Sequence, residues 1–357
     1  MRLLYGVVGE GMGHAIRSRV ILSYLLKQGH ELEIMASGRA CDFLGKHFSG
    51  VNRIHGFHII YDENRVRLRR TIASNVVKGI AAIPTQIAAY FGLIDDFKPE
   101  GVISDFESWT YWYAKTKRLP ILSIDNMQVL NRCKHPKEVI AGHEKDFELA
   151  RAFVKSKLPF CDHYIVSSFF QPPLARKKTT LVPPILRDEI LAAKPKRGEH
   201  LLVYQTAEGN DALVATLKQT KLPCKIYGMR RSIQKDEQDE NLTYRPFSEQ
   251  AFVDDVAGAR GVIAGGGFTL MGECVYLRKP MLSVPVGGQF EQVLNARWLE
   301  KLGYGRFAPS LEDPGAIHEF VAGLDAHEQA LQSYRQDGNK AVFAAVDEQL
   351  DRMAAFG

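Results

Sequence analysis

The chain has 357 residues, of which 45% are hydrophobic and 24% are charged, and this length exceeds the usual size of one hydrophobic core. We therefore expect two domains. No run of about 18 apolar residues occurs, so the sequence predicts no membrane-spanning helix. A formal net charge of +5 suits an anionic ligand and does not require nucleic acid as a partner.

Residues 1–6 enter a strand pattern directly, without the charged start and long apolar region of a signal peptide, so we expect a cytoplasmic protein. The five cysteines are scattered, with no Cys-x-x-Cys pair and no nearby histidine at metal spacing. This pattern predicts neither a disulfide framework nor a zinc site.

The first forty residues predict a strand, a helix and a second strand. Residues 3–8 and 31–35 have the apolar pattern of strands, and residues 15–27 form a helical stretch that Gly29 ends. Further strands of this half are predicted at residues 56–61, 101–104, 120–124 and 163–167. Helical stretches separate most of them, and the alternation predicts a mostly parallel, doubly wound α/β sheet.

A glycine-rich loop, Gly9-Glu10-Gly11-Met12-Gly13-His14, joins the first strand to its helix, where a dinucleotide fingerprint would lie. Histidine replaces the third glycine of that fingerprint, and the second strand ends without an acidic residue for a ribose, which argues against NAD. A helix N-terminus lowers the pKa of a histidine and keeps it neutral, as a general base requires. We predict that His14 is such a base; a His14 that only caps its own loop is the alternative.

Asp105 follows the strand predicted at residues 101–104. A basic histidine is commonly oriented by a carboxylate on its other ring nitrogen, so we predict that Asp105 contacts His14. The alternative is that Asp105 caps a helix predicted at residues 106–114, and one carboxylate can serve both tasks. Glu10 is a further candidate, although a loop position alone gives it no role.

Residues 58–68 predict a β-hairpin whose second arm contains alternating arginines. Arg65 and Arg67 belong to this arm, and Arg69 and Arg70 follow. Such a face either is solvated or binds a phosphate or carboxylate of an acceptor by paired hydrogen bonds. The apolar stretch at 72–91, interrupted by Pro84, predicts a buried helix pair or a surface that touches lipid.

The segment from 172 to 198 is rich in Pro, Lys and Arg, and we place the domain boundary near residue 185. The second half repeats the architecture of the first. Strands are predicted at 201–204, 224–227 and 261–264, helices at 211–218 and 252–257, and a charged loop near 236–240.

The triplet Gly265-Gly266-Gly267 follows the strand at 261–264, and a helix is predicted from about Thr269. The free N–H groups and the dipole of that helix would point at a phosphate, and Glu273 one turn later can accept two ribose hydroxyls. Packing alone is the other explanation of a glycine triplet. The polar run Gln289-Phe290-Glu291-Gln292 follows after Lys279-Pro280 and Pro285.

This order of residues resembles the donor-binding signature of inverting GT-B glycosyltransferases. Relatives include plant and macrolide sugar transferases and the lipid-linked N-acetylglucosaminyltransferase of peptidoglycan synthesis. The resemblance implies two Rossmann-like doubly wound domains, 1–185 for the acceptor and 186–335 for the donor, that face a central cleft. It also implies that the segment 336–357, with a helix at 339–353, crosses back to the first domain.

The same resemblance implies roles for individual residues, with a UDP-linked sugar as the donor. In the second domain the donor would contact Thr206 near the diphosphate, Phe247 at the uracil, Gly265, Gly266, Gly267, Phe268 and Thr269 at the phosphates, Glu273 at the ribose, and Gln289, Glu291 and Gln292 at or near the sugar. In the first domain His14 and Asp105 would be catalytic, and Gly11, Gly13, Arg65 and Arg67 would lie on the acceptor side.

Two departures from the family pattern matter. Ala264-Gly265-Gly266 stands where the plant signature has His-Cys-Gly, so neutralisation of the diphosphate would rest on backbone amides, with Arg230 and Arg231 as further candidates or merely exposed loop residues. No Asp-x-Asp occurs, the motif that holds a divalent metal in the other major sugar-transferase fold. We therefore expect chemistry without a metal or a cofactor.

The sequence thus predicts an inverting glycosyltransferase that moves a sugar from a UDP-sugar to a hydroxyl acceptor. Anionic and lipid-linked acceptors are both open, and a lipid-linked one would bring the protein to the inner face of the membrane. A UDP-sugar 2-epimerase of the same fold and a sugar-nucleotide-binding protein without turnover are the alternatives. The epimerase would require additional acid and base carboxylates, and His14 would be idle in the binding protein.

Overall fold

The computed structural model describes residues 1–9, 11–54, 61–62, 65–66, 90–205, 211–311 and 313–355. The predictions for Glu10, Arg67, Thr206, the strand at 56–60 and most of the stretch at 72–91 lie outside the described residues. The chain divides into two compact units. The first comprises Met1–Pro136, Gly142–Arg187 and Asp337–Gly357, and the second comprises Lys137–Ala141 and Asp188–Gln336.

The first unit alternates strands and helices along most of its length. Its elements are β1 (Arg2–Val7), α1 (Met12–Lys27), β2 (Glu31–Ser37), α2 (Gly38–Leu44), β3 (Val51–Ile54), β4 (Tyr61–Asp62), β5 (Arg65–Val66), α3 (residues 90–97), β6 (Gly101–Asp105), α4 (Trp109–Lys117), β7 (Ile121–Asp125), α5 (Val129–Arg132), α7 (Glu144–Lys157), β8 (His163–Ser167), β9 (Thr179–Val182) and α14 (Lys340–Ala354).

Seven of these strands form one sheet in the order β3-β2-β1-β6-β7-β8-β9, and every neighbouring pair is parallel. The central strands β6 and β7 are buried along their whole length, as expected for a parallel sheet with both faces covered. This is why they are continuous apolar runs in the sequence. The short strands β4 and β5 pair antiparallel with each other, at the place of the predicted hairpin.

The second unit has the same plan. Its elements are α6 (Lys137–Ile140), α8 (Asp188–Ala192), β10 (Leu201–Tyr204), α9 (Asp211–Gln219), β11 (Cys224–Tyr227), β12 (Glu237–Asp239), β13 (Leu242–Arg245), α10 (Glu249–Gly258), β14 (Gly261–Ala264), α11 (Phe268–Tyr276), β15 (Met281–Ser283), α12 (Phe290–Lys301), β16 (Gly305–Phe307) and α13 (Pro314–Leu331).

Its sheet has the order β12-β13-β11-β10-β14-β15-β16, and every pair is parallel except β12 with β13. The charged loop predicted near 236–240 is therefore wrong in part, because Glu237–Asp239 forms an antiparallel edge strand. An edge strand keeps one side and much of its side-chain surface in water, so charged residues are acceptable there. Two wound α/β sheets, the predicted fold class, are present.

The short helix α6 belongs to the second unit, although in the sequence it precedes β8 and β9 of the first unit. It packs on α12, where Arg297 Nη1 donates to the carbonyl oxygen of Ala141 at 2.6 Å. Lys301 Nζ also donates to Glu138 Oε1 at 2.7 Å. The second unit is thus built from two separate stretches of sequence.

The last helix, α14, packs in the first unit. Val342, Val346, Leu350 and Met353 on its inner face lie in the same hydrophobic core as β1 and α1. The Phe343 ring stacks on Tyr24 of α1 with centroids 3.9 Å apart, and the Tyr24 hydroxyl donates to Asp347 at 2.6 Å. Among the described residues, no helix combines the length and the apolar character needed to cross a bilayer.

Candidate active site

Each sheet has one place where the strand order reverses direction. In the first sheet this switch lies between β1 and β6, and in the second between β10 and β14. Ligands of doubly wound sheets bind beyond the carboxyl ends of the strands at such a switch. The loop after β1 leads to His14, Asp105 ends β6, and the glycine triplet follows β14, so the predicted residues lie at these two positions.

His14 and Asp105 are in direct contact in the first unit. His14 Nδ1 lies 2.7 Å from Asp105 Oδ1, and Asp105 is almost fully buried while His14 keeps 15% of its side chain exposed. Because a carboxylate only accepts hydrogen bonds, we assign the proton of the neutral ring to Nδ1. Nε2 then carries a lone pair, as a general base requires.

A buried arginine completes this group. Arg17 stands one turn after His14 on α1, and its Nε donates to Asp105 Oδ2 at 2.8 Å. Its Nη2 lies 2.5 Å from both Asp105 Oδ1 and His14 Nδ1, and its Nη1 donates to Asn126 Oδ1 at 2.6 Å. Ser18 Oγ adds a further hydrogen bond to Asp105 Oδ2 at 2.9 Å. The carboxylate is therefore held at both oxygens.

The charges of this group act on one another. Burial lowers the pKa of His14, the Arg17 guanidinium lowers it further, and Asp105 opposes both. Burial by itself would raise the pKa of Asp105, but Arg17 and His14 outweigh it and lower the pKa. Burial also raises the pKa of nearby Asp125 to about 6, against the attraction of Arg17. The structure therefore favours a neutral His14 beside an ionised Asp105.

The described contacts bear on the two alternatives that the sequence left open for these residues. Helix α1 has Gly11 at its N-cap and no side-chain cap, and the described contacts of His14 are with Asp105, Arg17 and the Phe106 ring. Asp105 does not cap α4, because Glu107 accepts from the N–H groups of Trp109 and Thr110 at 2.7 and 2.8 Å. This carboxylate also explains why α4 begins at Trp109 and not at residue 106 as predicted.

The glycines of the first loop differ in what requires them. A Cβ on Gly9 would lie 2.3 Å from the carbonyl oxygen of Ser37, so this glycine allows the loop to pack on the end of β2. Gly11 has φ +86°, a conformation that favours glycine, and a Cβ there would meet no atom within 4 Å. Gly13 lies in the first turn of α1.

Of the two arginines predicted on the acceptor side, Arg65 forms part of β5, opposite Asp62.

In the second unit, the triplet leads from β14 into α11, which begins at Phe268, one residue before the predicted start. Gly267 is exposed at the N-cap, and Thr269 is half-buried in the first turn. Phe268 and Glu273 are buried. The N–H groups of this first helical turn have no partner within the helix, which makes the position suitable for an anion.

The backbone N–H group of Gly266 already has a side-chain partner. Its N–H donates to Gln292 Oε1 at 3.2 Å, and the same oxygen accepts from the N–H of Val286 at 3.0 Å. Gln292 Nε2 donates to Gln289 Oε1, and Glu291 Oε1 accepts from Asn295 at 2.5 Å. Gln292 thus joins the glycine turn to the loop before α12, a role that the sequence did not indicate.

Phe247 lies at the carboxyl end of β13 with 68% of its surface exposed. Its ring packs against Phe252 and Tyr227, with centroids 5.9 and 6.5 Å apart. Arg230, a candidate for the diphosphate, is paired with Glu237 at 2.5 Å and lies over the Tyr244 ring at 3.7 Å. An exposed aromatic ring beside the sheet edge is a suitable surface for a planar base.

Sequence reasoning missed Arg17, Ser18 and Asn126. A signal for Arg17 existed, because it lies three residues after His14 among the core-facing positions Ala15 and Ile21 of α1. Within the described ranges, no cluster of three or more His, Cys, Asp or Glu side chains could hold a metal ion. All five cysteines are buried free thiols.

Comparisons with known proteins show the family and the fold of the chain. The family model described as glycosyl transferase family 1 matches residues 1–325. An uncharacterized glycosyltransferase of Methanosarcina mazei is 24% identical over 355 residues, covering 90% of this chain and 89% of that protein. The structure of CalG4, the calicheamicin glycosyltransferase, has a TM-score of 0.67 and 16% identity, and covers 99% of this chain and 98% of its own. The Phytolacca americana UGT2 structure, complexed with UDP-2fluoro-glucose and pterostilbene, has a TM-score of 0.66 and 12% identity, over 99% and 100% of the two chains.

Proposed function

The chain belongs to glycosyl transferase family 1 and has the GT-B fold, and on that premise we propose that it is an inverting enzyme that transfers a sugar from a UDP-sugar to a hydroxyl group. The predictions that the chain belongs to a glycosyltransferase family and is a glycosyltransferase are confirmed. The observation that carries the mechanistic part of the proposal is the His14–Asp105 contact at the switch of the first sheet.

We propose that the second unit holds the donor. The diphosphate would lie at the N-terminus of α11, where Gly267 is exposed and the helix dipole favours negative charge. The uracil would stack on Phe247, and Glu273 would face the ribose. UDP as the nucleotide is supported by the Phytolacca americana UGT2 structure, which holds UDP-2fluoro-glucose in the same fold.

In the proposed reaction, His14 Nε2 takes the proton of the acceptor hydroxyl as its oxygen attacks the anomeric carbon. The bond from that carbon to the UDP oxygen breaks in the same displacement, which inverts the configuration. Asp105 stabilises the imidazolium that forms, as in other carboxylate–histidine pairs. The amides of the first turn of α11 stabilise the negative charge that develops on the departing phosphate.

We propose that this charge stabilisation needs no metal ion, because the positive end of α11 takes that place. Chelation of divalent ions with EDTA should then leave the transfer rate unchanged. A loss of transfer on chelation, restored by magnesium or manganese, would contradict this part of the proposal.

The function is tested by incubating the protein with UDP-sugars and a panel of neutral, anionic and lipid-linked hydroxyl acceptors. We expect UDP release that depends on an acceptor, and an inverted anomeric centre in the product by NMR. A His14→Gln variant should lose about 10²- to 10⁴-fold in transfer rate, the usual contribution of a general base. UDP affinity should be unchanged, since His14 belongs to the other unit.

His47→Gln is the matched control, because His47 is an exposed histidine of the same unit and should transfer at the wild-type rate. Interconversion of UDP-sugars without an acceptor would instead support a 2-epimerase. UDP binding without any turnover would support a binding protein, and unchanged transfer by His14→Gln would exclude His14 as the base.

A further inference from the structure

Arg17 is a buried charged residue, and a role in solubility would not require its burial. It is 3% exposed, and its guanidinium contacts three different elements: α1 through His14, β6 through Asp105 and the end of β7 through Asn126. Burying a charge is costly unless it is paired and hydrogen-bonded. Each of its three nitrogens has such a partner, so the position of the guanidinium is fixed.

We propose that Arg17 is a positioning residue for the base: it fixes Asp105 so that the carboxylate accepts a hydrogen bond from the Nδ1–H group of His14 and leaves Nε2 free for the acceptor. This inference rests on the proposed function for its consequence in catalysis, but the contacts themselves do not depend on it. Asp105 has two oxygens, and Arg17 binds both, at 2.5 and 2.8 Å. A carboxylate held in this way cannot turn its oxygens away from the imidazole.

The tautomer of His14 is the critical point. Arg17 Nη2 and His14 Nδ1 both lie within hydrogen-bond distance of Asp105 Oδ1. If Nδ1 were instead the acceptor of Arg17, its lone pair would face the carboxylate oxygen 2.7 Å away, and Nε2 would carry the proton. The ionised carboxylate disfavours that arrangement, because it would repel the lone pair of Nδ1, and Arg17 lowers the pKa of the carboxyl group and so keeps it ionised.

Arg17 also sets the charge around the base. With neutral His14, the Arg17 and Asp105 charges cancel; protonation of His14 gives the group a net positive charge. Among the described residues, two kinds of ionisable group lie near His14 besides Arg17 and Asp105. Lys157 Nζ lies over the Phe106 ring that stacks on His14, and Asp125 and Tyr5 interact with Arg17. Removing Arg17 therefore removes a charge that disfavours protonation of His14, whereas removing a cation elsewhere on α1 does not.

The test compares Arg17→Met, which removes charge and hydrogen bonds, with Arg17→Lys, which keeps the charge but loses the planar fork. Arg19→Met is the control, because Arg19 lies on the same helix with its guanidinium over Phe43. Nitrogen-15 NMR of labelled histidine gives the His14 tautomer and its titration without any need for activity. Thermal unfolding shows whether each variant is folded, and UDP affinity, which we assign to the second unit, should be unchanged.

We expect protonated Nδ1 and free Nε2 in the wild type. In Arg17→Met the pKa of His14 should rise toward its ordinary value of about 6.5, and the acidic limb of the kcat/KM profile should move up with it. Arg17→Met and Arg17→Lys should both transfer about 10- to 100-fold more slowly at pH 8, as expected for a misplaced catalytic group, but Arg17→Lys should keep the wild-type pH limb.

The proposal is overturned if wild-type His14 carries its proton on Nε2, or if Arg17→Met titrates as the wild type does. A loss of rate in Arg17→Met that is the same at every pH would also overturn it, because that result describes a purely structural arginine. If the wild type transfers no sugar at all, the proposed function fails, while the tautomer and titration of His14 still decide the role of Arg17.

Discussion

Gly266 and Gly267 are neighbours in the sequence, but of the two only Gly266 has surroundings that require glycine. A Cβ on Gly266 would lie 2.6 Å from Gln292 Cβ and 2.7 Å from the Gln292 carbonyl oxygen. A Cβ on Gly267 would meet nothing within 4 Å, and its φ of −63° is accessible to any residue. Packing explains Gly266. For Gly267 we propose that the close approach of a ligand is the reason.

Alanine at each position should therefore give opposite results. Gly266→Ala should destabilise the second unit by about 1–3 kcal/mol, the usual cost of overpacking. Gly267→Ala should change stability by less than about 0.5 kcal/mol, but weaken UDP binding by about tenfold or more, because the new methyl group enters the phosphate position. Thermal unfolding and calorimetric titration with UDP measure the two effects. Wild-type UDP affinity in Gly267→Ala would mean that the phosphate does not lie there.

At the scale of helices and strands, α14 packs against elements that are distant from it in the sequence. Its buried side chains complete the core around β1 and α1, more than 300 residues earlier in the sequence. The last helix is therefore part of the folding unit that holds His14. A change on its inner face should lower the stability of that unit.

Leu350→Ala should lower the free energy of unfolding of the first unit by about 2–5 kcal/mol. The Leu350 side chain is only 4% exposed, and its truncation leaves a cavity in the core. The control is Glu348→Ala on the outer face, where an exposed pair with Arg352 contributes about 0.5 kcal/mol or less. Denaturant unfolding of the two variants measures the difference. Equal stability of both would show that α14 does not support the first unit.

The elements themselves were largely predictable, because buried parallel strands are continuous apolar runs. Gly261–Ala264 and Cys224–Tyr227 were predicted at their observed bounds for this reason. The edge strand β12 was not, because Glu237–Asp239 has no strand pattern and pairs only where the sheet meets water. Arg17 was missed because its burial depends on Asp105 and Asn126, which are 88 and 109 residues away in the sequence.

At the scale of the whole molecule, each unit has its own hydrophobic core. If the donor binds in the second unit alone, UDP should stabilise that unit and leave the first unchanged. Saturation at 100 times the dissociation constant should add about 2.7 kcal/mol to the binding unit. Hydrogen exchange at residues 261–276, compared with residues 101–125, measures this effect, and equal protection of both would contradict a donor site confined to the second unit.

The short α6 limits how this protein can be recombined with its relatives. Lys301 and Arg297 of α12 make their contacts with Glu138 and Ala141, which lie outside the long stretch Asp188–Gln336. A chimera that exchanged only 188–336 would present foreign side chains to the helix that carries Glu291 and Gln292. If the donor binds in the second unit as proposed, the module to graft in order to change the sugar consists of two pieces, 137–141 together with 188–336.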